Sequence, residues 1–166
     1  QLSRRLLRLS AAMLSSVAAH RTLEDLRTPA LVLHRDVLVA NAAAMRERAT
    51  ALGVSLRPHF KTVKSLEGAA IATAGSKRGM TVSTLAEARF LADGGFDDIL
   101  YAVPLTPDKV EDVLRLHERM DRFTVMVDHA DQVAGLLAAC ANRLSKPLSV
   151  VVGVDCGYHR DGCDPE

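Results

Sequence analysis

No tryptophan occurs in the 166-residue chain, and its other aromatic residues are two Tyr and four Phe. With no aromatic platform for stacking bases and a formal net charge of +1, the composition argues against a nucleic-acid partner. Cysteine is scarce as well. Cys140, Cys156 and Cys163 are too few, and odd in number, for a disulfide framework, so they read as free thiols of a reducing compartment. No apolar run approaches the about 20 residues that a membrane span requires, so the sequence reads as a soluble protein with no membrane partner. What is present is an ordinary balance, 48% hydrophobic and 25% charged, enough to bury the core of one domain or part of one.

Acidic residues are missing from Gln1 to Leu23, where Arg4, Arg5, Arg8 and Arg21 alternate with serines and with Leu2, Leu6, Leu9, Met13 and Val17 at helical spacing. That profile fits an organellar transit peptide, and it equally fits a surface helix packed on a domain. Residues 1–27 are accordingly expected to be an N-terminal extension or transit-like segment, with residues 28–166 as the domain, in a cytoplasmic or mitochondrial location.

Beyond Thr28-Pro29 short apolar runs alternate with helical stretches. Strands are expected at residues 30–33, 54–57, 80–82, 99–103, 123–127 and 148–154. Helices are expected between them, opened by signals such as Asp36, Thr84-Leu85-Ala86-Glu87, Thr106-Pro107-Asp108 and Asp128, and closed by Gly53, Gly75 and Gly94-Gly95. Strands apolar on both faces and separated by helices imply a parallel sheet flanked by helices, either doubly wound or a (β/α)8 barrel. There is no Gly-x-Gly-x-x-Gly after the first strand to indicate a dinucleotide. A complete barrel needs eight strands and about 250 residues. The chain offers about six βα units and stops just after a strand, so the expected fold is the N-terminal portion of a TIM-type barrel, unfinished at its C-terminal end.

The stretch that organises these units is Leu56-Arg57-Pro58-His59-Phe60-Lys61-Thr62-Val63-Lys64-Ser65. Strand-to-helix junctions of such folds display functional side chains. A lysine held there, partly desolvated or beside another cation, can react as a neutral amine with a carbonyl compound. Lys61 is the candidate, and Lys64, about one helical turn onward, points to solvent or to a phosphate. Cys156, His159 and Cys163 have a spacing only loosely compatible with a metal and lack the second pair that a zinc ribbon requires, so no metal ligands are assigned. Asp155 reads as a turn cap. His34, His117 and His129 read as helix-surface or capping residues. Tyr101 either faces the site or finishes a core layer.

Three blocks, Thr28-Pro29-Ala30-Leu31-Val32, Arg57-Pro58-His59-Phe60-Lys61-Thr62 and Val154-Asp155-Cys156-Gly157-Tyr158-His159-Arg160-Asp161-Gly162, together resemble the D-serine dehydratase and D-threonine aldolase family. These are pyridoxal-phosphate enzymes of the alanine-racemase fold type. The resemblance implies that Lys61 matches the lysine that forms a Schiff base with pyridoxal phosphate, with His59 and Thr62 as its neighbours in the cofactor site and Arg57 at the matching strand end. It also implies that Arg160 lies against the cofactor ring. The sequence departs from the family pattern at Val63, where a second histidine is common, and at Cys156, where a small or branched residue is. Residues 28–166 would then be part of a cofactor-binding barrel. The phosphate-holding loops, and a β-rich domain whose His and Cys bind zinc or another divalent metal, would lie outside these residues.

The activity implied is that of a lyase acting on D-hydroxy-amino acids, and a homodimer when full length. D-serine dehydratase, giving pyruvate and ammonia, comes first, and an aldolase acting on D-threonine or other 3-hydroxy-D-amino acids is the alternative. From other classes come a non-catalytic pyridoxal-phosphate carrier and an inactive fragment.

Overall fold

The computed structural model describes residues 22–165. The arginine-rich part of the transit-like segment, residues 1–21, lies outside them. The chain falls into two compact units, residues 1–34 and 35–166.

In the first unit a short 3-10 turn spans Leu23–Asp25, and the Thr22 N–H donates to Asp25 Oδ2 at 3.1 Å. The strand expected at residues 30–33 does not form. Leu31, Val32 and Leu33 are exposed, and no strand among the described residues pairs with them. An apolar run of that length becomes a strand only when a neighbour satisfies its backbone groups.

The second unit holds α1 (Arg35–Ala51), α2 (Leu66–Ala72), β1 (Arg78–Val82), α3 (Leu85–Asp93), β2 (Asp98–Pro104), α4 (Val110–Arg119), β3 (Arg122–Val127), α5 (Ala130–Cys140) and β4 (Ser149–Val152). The four strands form one parallel sheet in chain order. Successive parallel neighbours, each reached through a helix, are the repeat of a (β/α)8 barrel, and the sheet is a portion of one.

The register puts Val82, Tyr101 and Val125 in one row and Ile99 beside Phe123. These side chains are buried and pack with Leu85, Ala88, Leu91, Val110, Val113 and Leu116 from α3 and α4. Tyr101 is therefore a core residue, 2% exposed. His117 is not on the surface as the sequence suggested. It lies one turn beyond Val113 on the same face of α4, is 1% exposed, and donates from Nε2 to the Lys146 carbonyl at 3.0 Å.

The strand expected at residues 54–57 is reduced to a single parallel bridge between His59 and Thr81, with the Thr81 N–H donating to the Pro58 carbonyl at 2.9 Å. Pro58 has no N–H of its own, so the ladder cannot extend through it. The Arg57 guanidinium ties this segment to the sheet instead. It donates to the Met80 carbonyl at 3.2 Å and to Asp98 Oδ1 at 2.9 Å.

Candidate functional site

Phe60–Thr62 form a 3-10 turn at the C-terminal end of the Val54–His59 segment. Phe60 anchors the turn, 2% exposed, with its ring 5.9 Å from that of Phe90 on α3. His59 precedes the turn and caps it: its Nδ1 accepts the Lys61 N–H at 3.2 Å, and its carbonyl accepts the Thr62 hydroxyl at 3.3 Å. His59 Nε2 lies 3.1 Å from Ser83 Oγ. A ring nitrogen that accepts is bare, so the neutral ring carries its proton on Nε2 and donates it to Ser83. Burial, and then the Lys61 charge, push His59 below its usual pKa, with Glu87 acting in the opposite sense. This direction agrees with a neutral ring.

Below the turn, Thr84 caps α3 through the Glu87 N–H at 3.1 Å. The carboxylate of Glu87 reaches one residue further back than a capping box requires and accepts the Ser83 N–H at 2.9 Å. Glu87 is 8% exposed and pairs with Lys64 Nζ at 3.4 Å. Lys64 therefore has a partner and is not simply directed to solvent. Lys61 itself is exposed, and the described residues do not supply the desolvation expected for it.

Arg160 belongs to a separate knot after β4. A bridge between Val154 and Cys163 closes the loop, with the Asp155 N–H donating to the Cys163 carbonyl and the Cys163 N–H to that of Gly153, both at 2.9 Å. Asp155 organises its interior, accepting the N–H groups of Gly157 at 2.9 Å and His159 at 3.0 Å, and lying 2.8 Å from His159 Nδ1. These donors, the His159 N–H foremost, hold the Asp155 carboxyl below its usual range. Gly162, at φ +104°, has no room for a Cβ against the Val154–Asp155 backbone. Its N–H donates to Asp128 Oδ2 at 3.0 Å. Asp128 thus ties the knot to the start of α5, while His129 caps that helix by accepting the Asp131 N–H.

The knot presents Arg160 to solvent, its guanidinium 5.0 Å from the Tyr158 ring and its Nε 3.3 Å from Asp161. The structure thus brings His59, Lys61 and Thr62 into one turn and places Arg160 in a different loop, after the end of β4. Cys156, His159 and Cys163 do not converge. Cys163 Sγ bonds the Gly153 carbonyl and His159 bonds Asp155. Among the described residues no group of three or more His, Cys, Asp or Glu is placed to hold a metal ion. Ser83 is absent from the sequence-based set, because the residue before an N-cap has no signature of its own.

The family model described as "Alanine racemase, N-terminal domain" matches residues 33–166. The chain belongs to this family. As an alanine racemase N-terminal domain it is 39% identical over 152 residues to a D-serine dehydratase of Dictyostelium discoideum, covering 87% of this chain and 38% of that protein. It is 39% identical over 141 residues to a D-threo-3-hydroxyaspartate dehydratase of Delftia sp. (strain HT23), covering 85% and 37%. Among solved structures, D-threonine aldolase from Filomicrobium marinum superposes with a TM-score of 0.79 at 30% identity, covering 87% of this chain and 39% of that one. The domain therefore spans well under half the length of the relatives it matches.

Proposed function

We propose that this domain is part of a pyridoxal-phosphate-dependent lyase acting on D-3-hydroxy amino acids, with Lys61 as the residue to which the cofactor attaches. The observation that carries the reading is the turn at residues 59–62. An exposed primary amine stands there on a backbone pinned to the end of β1, in a chain whose relatives include a D-serine dehydratase and a D-threo-3-hydroxyaspartate dehydratase. An accessible lysine on a rigid strand end suits an aldehyde cofactor.

In this reading Lys61 would hold the cofactor through its amine, and His59 and Thr62 hold the turn that presents it. Arg160 contributes a fixed positive charge from the knot after β4. When bound, pyridoxal phosphate supplies the electron sink for the bond broken at Cα. A divalent metal would have to be held by residues outside those described.

Dehydration of D-serine is the first substrate reading, supported by the D. discoideum relative. Aldol cleavage is the second, favoured by the likeness to the D-threonine aldolase structure. Two experiments test the proposal. Pyridoxal phosphate added to the full-length protein should give a yellow absorbance that borohydride fixes to the peptide containing Lys61, and Lys61→Ala should abolish both. An unchanged spectrum in that variant refutes the assignment. Release of ammonia and pyruvate from D-serine, or of an aldehyde from D-threonine, then separates the two substrate readings.

A further inference from the structure

Lys61 is exposed and its side chain is long, so what gives its amine a direction is the backbone that carries it. That backbone is held by a chain of contacts starting in α3. The Glu87 carboxylate, nearly buried, fixes the Ser83 N–H at 2.9 Å. Ser83 Oγ accepts from His59 Nε2 at 3.1 Å, and His59 Nδ1 accepts the Lys61 N–H at 3.2 Å. Each link sets the next: with Nδ1 bare the ring must donate through Nε2, and Ser83 Oγ is the acceptor that receives it.

We propose that Glu87, Ser83 and His59 form a positioning strut by which the first turn of α3 fixes Lys61 at the end of β1, with Ser83 as its central member. The importance of that placement rests on the reading of Lys61 as the attachment residue; the strut itself stands on the contacts alone. Ser83 is a positioning residue acting through His59.

The test is amide hydrogen exchange in the full chain, followed by NMR at the Lys61 N–H. Ser83→Ala should accelerate exchange at Lys61 roughly two- to tenfold, the factor that one hydrogen bond carries, and leave the β2 and β3 amides unchanged. Ser83→Thr, which keeps the hydroxyl, should restore protection. In the His59→Ala background Ser83→Ala should add nothing, because the serine acts through that ring. Unchanged exchange at Lys61 in Ser83→Ala overturns the strut, as do additive effects in the double variant. A uniform rise across β1 to β3 also overturns it, since Ser83 would then hold the sheet and not the lysine. The attachment reading fails separately: if Lys61 does not condense with pyridoxal phosphate while its amide responds as stated, the strut survives and the cofactor assignment does not.

Discussion

At the scale of single residues, His59 shows how one ring can be committed in two directions. Its Nδ1 serves the Lys61 backbone and its Nε2 serves Ser83. Protonating Nδ1 would turn an acceptor toward a donor, so the folded state favours the neutral ring, and burial together with the Lys61 charge works the same way. The folded pKa is therefore depressed. The His59 contribution to stability is complete above the usual value of 6.5 and is lost as pH falls from there through the lower folded value. In an NMR titration the His59 ring should show a midpoint below 6.5. His59→Asn, which offers Oδ1 to the same N–H but does not titrate, should remove that part of the acid dependence of thermal stability. A midpoint at or above the usual value would mean that Nδ1 does not accept in solution.

At the scale of elements, α3 ties the site to the fold, because its first turn caps itself through Thr84 and reaches the Lys61 turn through Glu87 and Ser83. Thr84→Ala should cost about 1 kcal/mol, the usual loss for an N-cap side chain. Urea denaturation measures it, and a loss indistinguishable from zero would show that Glu87 alone suffices to start the helix.

This helix was legible in the sequence because its signal is local: Thr84, Glu87 and the terminating Gly94-Gly95 lie within one element. So were β1, β2 and β3, whose alternation with helices carries the barrel pattern, and the sequence also placed His59, Lys61 and Thr62 together because they are contiguous. What it missed depends on distant partners. Residues 30–33 and 54–57 have strand composition, but the first has no paired neighbour among the described residues and the second is cut short by Pro58. Asp128 reads as a cap for α5 until Gly162, far along the chain, takes its carboxylate and His129 does the capping. His117 was open to a better reading, since it continues the face set by Val110 and Val113. A histidine's polarity argued against burial, but its Nε2 donates to the Lys146 carbonyl, while its buried Nδ1 has no partner among the described residues.

At the scale of the whole molecule, the sheet is asymmetric in what it covers. β3 is flanked on both sides and Phe123 and Val125 are fully buried, whereas β4 pairs with β3 on one side only among the described residues. Val150, Val151 and Val152 are 44%, 38% and 65% exposed. An apolar strand with one open row of backbone groups is a template for pairing with another chain. Replacing Val152 with lysine places a charge on the most exposed of the three without removing a core contact. Val152→Lys should therefore reduce light scattering of the concentrated 166-residue chain and change its stability by no more than about 0.5 kcal/mol, as surface substitutions do. Scattering that stays the same would show that this edge does not drive association. In a longer form of the protein that adds a strand beside β4, the same lysine would instead be forced into an interior position and should destabilise the fold by several kcal/mol, as an unpaired buried charge does. The two forms should thus differ in their tolerance of one substitution, nearly neutral in the first and strongly destabilising in the second, and denaturation of each measures whether the open edge is where the barrel continues.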